Sequence, residues 1–238
     1  MTDTFSPKPI ASRDRLIFAL DVPTADDAQR LITQLGDSVS FYKLGLQLFL
    51  SGDYFRLVDQ LTSAGKQVFA DLKLFDIPAT VAAAVRQLER YPISLTTVHG
   101  NDAMLRAAAQ AADRVKVLAV TALTSLDRGD LDDLGFRCEL EELVLSRARR
   151  ALELGCAGVV SSGLEVQRLR AHVDHRLLVV CPGIRPVDND DDQRRTVDVA
   201  GAFANGADYI VVGRPIRDAR DPRQAAETIQ QTIADSFQ

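Results

Sequence analysis

Three cysteines in 238 residues, Cys138, Cys156 and Cys181, are too few, too far apart and odd in number for a disulfide framework or a zinc site. A reducing cytoplasm is the compartment this implies. No apolar run approaches the roughly 20 residues of a membrane span. The first 13 residues are polar, carry Pro7 and Pro9, and lack the apolar centre of a secretory signal. Positive charge is also in short supply: the net charge is -5, which argues against a nucleic-acid backbone as partner. The glycine-rich G-x-G-x-x-G turn of dinucleotide-binding sheets is missing after the first predicted strand, where the chain reads Asp21-Val22-Pro23-Thr24. What remains is a soluble small-molecule enzyme or binding protein, and 46% hydrophobic residues supply a large core.

Short continuous apolar runs alternate with helical stretches along the whole chain. Strands are expected at 15–21, 40–45, from 68 onward, and at 93–100, 116–123, 158–163, 177–181 and 208–214. Helices are expected at 24–35, 53–64, 79–90, 102–112, 139–154, 164–171, 196–205 and 222–237, with Thr24 as a cap and Gly36 as a stop. The segment 124–135 reads as irregular. Runs that are apolar throughout, rather than alternating, belong to parallel sheets covered by helices. Eight such units in a chain of this length predict an α/β fold, a single-domain (β/α)8 TIM barrel over 14–238, preceded by a polar arm at 1–13.

In such barrels the active site lies at the C-terminal ends of the strands. Asp21, Lys43, Asp71, Lys73, His99, Thr121, Ser161, Ser162, Gly213 and Arg214 all fall there. Asp71 and Lys73 stand two apart in an apolar strand, with Asp76 and Pro78 following, and the neighbouring strand brings Lys43 close. Buried charges of opposite sign are costly unless they pair or do chemistry. A lysine between two carboxylates is held protonated, suited to stabilise a carbanion and then protonate it. A second cluster, Pro182-Gly183-Ile184-Arg185-Pro186, Gln193 and Gly213-Arg214-Pro215, has the amides and guanidinium that suit a phosphate dianion after strands seven and eight. The long loop 183–195 is a candidate lid. Its acidic run, Asp188-Asn189-Asp190-Asp191-Asp192, lacks the glycine and terminal glutamate of a calcium loop and reads as solvated. His99 reads as a positioning residue, His172 and His175 as surface residues, and Cys181 as packing.

Phe18-Ala19-Leu20-Asp21, Tyr42-Lys43-Leu44-Gly45, Asp71-Leu72-Lys73-Leu74-Phe75-Asp76-Ile77-Pro78, Val98-His99-Gly100, Pro182-Gly183-Ile184-Arg185 and Val212-Gly213-Arg214-Pro215 together resemble the orotidine 5'-phosphate decarboxylase family, bacterial type, from the first strand to the last. The resemblance implies a cofactor-free, metal-free carboxy-lyase that converts orotidine 5'-phosphate to UMP and CO2, the last step of de novo pyrimidine biosynthesis. It implies Lys73 as proton donor and Asp71 beside the substrate carboxylate. Asp76, accompanied by Thr80, would reach the partner's site in a homodimer. Asp21 and Lys43 would hold the ribose hydroxyls and Thr121 the pyrimidine edge. Gln193, Gly213 and Arg214 would bind the phosphate.

Two other readings differ in what they require. A magnesium-dependent 3-keto-gulonate 6-phosphate decarboxylase or hexulose-phosphate synthase shares the Asp-x-Lys-x-x-Asp motif. It resembles this chain less, because its strand two offers a carboxylate where Lys43 stands here. A non-catalytic phosphosugar- or nucleotide-binding barrel would not need the charged row.

Overall fold

The computed structural model describes residues 8–184 and 197–237. Eight parallel strands close on themselves in chain order: β1 Leu16–Ala19, β2 Phe41–Gly45, β3 Gln67–Leu74, β4 Leu95–Val98, β5 Lys116–Val120, β6 Gly158–Val160, β7 Leu178–Cys181 and β8 Tyr209–Val212. Closure is made by β8 against β1, which pairs Leu16 with Ile210 and Phe18 with Val212. The predicted (β/α)8 barrel is therefore the observed fold.

The helices alternate with the strands. α1 Ala25–Leu35 follows β1; α2 Leu46–Phe49 and α3 Tyr54–Ser63 follow β2; α4 Pro78–Leu88 follows β3; α5 Asp102–Ala111 follows β4. After β5 come α6 Arg128–Asp133 and α7 Leu140–Glu153, then α8 Val166–His172 after β6 and α9 Val199–Ala204 after β7. β8 leads into α10 Arg214–Arg217 and α11 Pro222–Ser236. Among the described residues, no helix is long and apolar enough to cross a membrane.

Local chemistry sets these boundaries. The Thr24 side chain accepts from the Asp27 amide to start α1, and Gly36, at φ 53°, ends it in a conformation that penalises a Cβ. Pro78 occupies the first turn of α4, where its missing N–H costs nothing. Asp127 and Asp130 form a reciprocal capping box that starts α6 inside the segment expected to be irregular. The strands are shorter at their mouth ends than the apolar runs suggested. β5 stops at Val120 and β8 at Val212, because the residues beyond turn out of the ladder to build the mouth.

Two apolar layers result. One lies between strands and helices. The other fills the barrel interior with Ile17, Phe41, Phe69, Leu95, Leu118 and Tyr209, among others. Since side chains on a strand repeat with period two, residues two further on also point inward. From β1 to β5 these are Ala19, Lys43, Asp71, Thr97 and Val120. The charged residues thus emerge directly above a packed apolar floor.

Beneath that floor lies a separate polar cluster. Asp208 is 1% exposed and accepts from Lys8 Nζ at 2.9 Å, Arg170 at 2.7 Å and the Val179 amide at 2.8 Å. Arg15 donates to the Asp208 carbonyl at 3.1 Å and to the Lys8 carbonyl at 3.2 Å, and its guanidinium stacks 4.0 Å over the Phe237 ring. Lys8 and the segment after it are thereby fixed to the barrel floor. Cys156 and Cys181 are buried, and burial pushes both thiols up, that of Cys156 to about 12, so both stay protonated packing groups.

Candidate active site

A cavity of about 470 Å³ opens at the C-terminal ends of the strands. Asp21, Lys43, Asp71 and Lys73 line one part of it, and Gly183, Gly213 and Arg214 another. Members of both clusters expected from the sequence therefore share one chamber.

The charged row is continuous. Lys43 Nζ lies 2.9 Å from Asp21 Oδ1 and 3.6 Å from Asp71 Oδ2. Lys73 Nζ lies 2.9 Å from both carboxylate oxygens of Asp71. Asp71 and Lys43 are nearly buried, while Asp21 and Lys73 retain access to the chamber. Burial works against the charge on Lys43, but Asp71 and Asp21 overcome it and hold the ammonium above its ordinary range. Burial likewise penalises Asp71. The cations Lys43 and Lys73, with hydrogen bonds from Lys73 and Thr97, overcome it and keep the carboxyl below its usual range. The central pair is thus ionised throughout the neutral range.

A break in the sheet aims Lys73. Between β3 and β4 the register shifts: β3 takes the residues from Ala70 to Leu74 to advance as far as β4 does from Thr96 to Val98. Lys73 sits in this bulge at φ 47°, the one positive-φ residue besides glycines among the described residues. Left-handed backbone costs a non-glycine residue on the order of 1 kcal/mol, so something holds it there. The Lys73 N–H donates to Thr97 Oγ1 at 2.9 Å, and the Thr97 hydroxyl donates to Asp71 Oδ1 at 2.8 Å.

On the opposite side, Gly183 adopts φ 79°, a left-handed turn at the end of β7. A Cβ on Gly213 would meet Ala19 Cβ at 3.3 Å, so the turn out of β8 passes close over β1. Arg217, on the single turn of α10, lines the chamber and donates to the Asp21 carbonyl at 2.8 Å.

Several expected residues sit elsewhere. Thr121 does not line the chamber: it is fully buried, and its hydroxyl donates to the Val160 carbonyl at 2.9 Å. Ala122, Leu123 and Thr124 form that wall instead. Asp76 and Thr80 are exposed and outside the chamber of their own chain, with the Asp76 carboxylate accepting from the Ile77 amide at 2.7 Å. Arg185, Gln193 and the acidic run Asp188–Asp192 lie outside the described residues, as does most of the loop 183–195. His99 packs edge-on against Phe75, with ring centroids 5.9 Å apart. Burial, then the charges of Arg147 and Lys73, lower its pKa.

Thr97, Thr124 and Arg217 were not singled out from the sequence. Thr97 was findable, since it stands two residues beyond Leu95 and so faces inward. Arg217 was not, because its approach depends on a helical turn that four residues do not announce. Among the described residues, no trio of His, Cys, Asp or Glu side chains stands close enough to hold a metal ion.

Fold and site together define a class, the (β/α)8 barrel enzymes with a charged row at the strand ends and an arginine corner after the last strand. Residues 14–229 match the orotidine 5'-phosphate decarboxylase / HUMPS family, and the chain belongs to that family. It is 61% identical to the orotidine 5'-phosphate decarboxylase of Methylococcus capsulatus, covering 100% of this chain and 99% of that one. With the enzyme of the same name from Stenotrophomonas maltophilia it shares 50% identity over 98% of both chains. The crystal structure of orotidine 5'-phosphate decarboxylase from Lactobacillus acidophilus superposes with a TM-score of 0.82 at 34% identity, covering 92% of this chain and 99% of that one. The resemblance read from the motifs is therefore borne out over the whole barrel.

Proposed function

We propose that this enzyme removes CO2 from orotidine 5'-phosphate to form UMP, the closing step of UMP synthesis, in the cytoplasm. The observation that carries the mechanism is the Lys73 side-chain nitrogen, held 2.9 Å from both oxygens of Asp71 in the lining of the chamber. When the bond from the ring carbon to the carboxylate breaks, its electron pair stays on a carbon with no adjacent electron sink. A positive charge placed beforehand, in a site from which water is excluded, stabilises that pair. Lys73 then passes a proton to the carbon, CO2 leaves, and solvent reprotonates the amine.

The remaining roles follow from position. Asp71 faces the departing carboxylate and pairs with the Lys73 side chain through both of its oxygens. Lys43, bridging Asp21 and Asp71, completes the row and with Asp21 holds the ribose hydroxyls. Gly213 and Arg214 take the phosphate, with Arg185 and Gln193 expected beside them from the loop outside the described residues. Thr124, in the chamber wall after β5, takes the pyrimidine edge in this reading, and Thr121 is buried nearby in the chain. The phosphate is remote from the reacting carbon, so its binding energy can serve the rate as well as the affinity.

Asp76 and Thr80 serve a partner's site in a homodimer. Supporting this, Asp76 is exposed between Phe75 and Ile77, which are 67% and 65% exposed, and Leu46, Phe49 and Leu50 are exposed on and beside α2. Single exposed apolar residues need no explanation, but two that flank an exposed carboxylate suit an interface. The donor chemistry also disfavours a metal between Asp21 and Asp71, because the Lys43 ammonium occupies that place.

The test is the fall in pyrimidine absorbance on adding orotidine 5'-phosphate with chelator in excess. Turnover is expected. No turnover, or turnover only after magnesium is restored, overturns the proposal.

A further inference from the structure

One hydroxyl connects the two central members of the charged row. Thr97 is fully buried on β4, two residues beyond Leu95 of the interior layer. Its Oγ1 does two things at once: it donates to Asp71 Oδ1 at 2.8 Å and accepts from the Lys73 backbone N–H at 2.9 Å. These bonds fall where the β3–β4 register breaks and where Lys73 holds φ 47°. Along β3 the Gln67 amide donates to Ser40 on the β2 side and the Val68 carbonyl accepts from Ser94 on the β4 side, so unbroken alternation would turn the Lys73 amide toward β2. The bulge turns it toward β4 instead, and the Thr97 hydroxyl receives it.

We propose that Thr97 is a positioning residue for the decarboxylation, its single hydroxyl fixing the Asp71 carboxylate and the strained Lys73 backbone in one geometry. The inference rests on the function proposed above. Three observations converge on it: the register shift, the left-handed backbone, and a hydroxyl used fully as donor and acceptor. A β-branched residue, restricted at χ1, suits the task because it holds the oxygen still. Only threonine and serine supply this donor and acceptor from a short side chain.

The charged and titratable groups around Asp71 are Lys43 from β2, Lys73 from β3, Asp21 beyond Lys43, and Tyr54 from α3, while His99 at the end of β4 faces Lys73. The hydrogen bond from Thr97 is one of the contributions that keep the Asp71 carboxyl ionised.

Thr97→Val retains shape and removes both bonds, and Thr97→Ser retains both. In full-length protein with 13C-labelled aspartate, Thr97→Val is expected to raise the Asp71 titration midpoint, and Thr97→Ser to leave it near wild type. In the same preparations, kcat is expected to fall about 10- to 100-fold in Thr97→Val, as for a catalytic group displaced by a fraction of an ångström. UMP affinity should stay within about threefold and Thr97→Ser should recover most of the rate. Should Thr97→Val fail to fold, Thr97→Ala against Thr97→Ser makes the same comparison. An unchanged Asp71 midpoint with turnover within about twofold of wild type overturns the proposal. So does an equal loss in the serine and valine variants, which would assign the effect to bulk rather than to the hydroxyl. If the wild-type protein does not turn over orotidine 5'-phosphate, the functional reading fails by itself. The Asp71 titration then still decides whether Thr97 holds that carboxylate.

Discussion

Asp71 lies opposite Gly45 across the β2–β3 ladder, and the missing side chain leaves room for the charged row. A Cβ at Gly45 would stand 3.3 Å from Asp21 Oδ1 and 3.4 Å from Lys43 Nζ. Lys43 itself pairs with Phe69 in the register, so its ammonium leans forward over the glycine to reach Asp71 at 3.6 Å. The ion pairs at the mouth thus depend on strand register as much as on the residues that carry them.

Lys73→Ala removes the proton donor and the cation nearest the developing carbanion. Turnover should fall by at least about 1,000-fold, the upper range for loss of a single preorganised electrostatic group. UMP affinity should change little, because ribose and phosphate contacts remain. Steady-state rates together with UMP titration check this, and comparable activity in the variant would refute the role given to Lys73.

Mixing separately inactive Lys73→Ala and Asp76→Ala chains should restore part of the activity. Each heterodimer would combine one unaltered row with one unaltered Asp76. Asp76 is exposed and outside its own chamber, which is what motivates the experiment. If heterodimers form, as native mass spectrometry can establish, and no activity returns, Asp76 acts within its own chain.

Acid should affect the row later than it affects ordinary carboxylates. Asp71 is held below its unfolded value of about 3.9, so its stabilising contribution is complete above that pH and is lost as pH falls through the lower folded value. Lys43 is held above its unfolded value of about 10.4, so its contribution is complete below that pH and is lost as pH rises through the higher folded value. The Tm difference between wild type and Asp71→Asn should therefore stay flat from about pH 5 to 9 and shrink below about pH 4. A difference that already decays by about pH 6 would contradict this.

At the other end of the barrel, Asp208→Asn should cost stability without touching the chemistry. Removing one partner of a buried ion-pair cluster costs about 3 to 5 kcal/mol, because the cations left behind are uncompensated. In a chain of this size that lowers Tm by on the order of 10 °C. Lys8, Arg15 and Arg170 all converge on Asp208. Calorimetry measures the loss, and kcat well below the transition should match wild type.

Much of the barrel was legible because its determinants are local. Continuous apolar runs, the Thr24 cap, the Gly36 stop and Pro78 each act within a few residues. The helix α6 escaped notice because its Asp127–Asp130 capping box sits in a stretch with little apolar periodicity. Asp21, Lys43, Asp71 and Lys73 were legible as a row because neighbouring strands and period-two facing bring them together. The family resemblance implied a pyrimidine contact for Thr121, which follows the last residue of β5. Its hydroxyl goes to Val160, and Thr124 reaches the chamber. The bulge at Lys73 could not be read, because it is a property of two strands in register and not of either alone.

That bulge bears on how the Asp-x-Lys-x-x-Asp sequence could be transplanted. Grafted onto the third strand of another barrel, the motif would present its lysine in regular pleat, without the left-handed residue that aims it. The graft would also need a hydroxyl on the adjacent strand, 24 positions later in this chain, to receive the displaced amide. For a designer, the transferable unit is a pair of strands with a register defect between them, and the familiar string of letters is only its visible half.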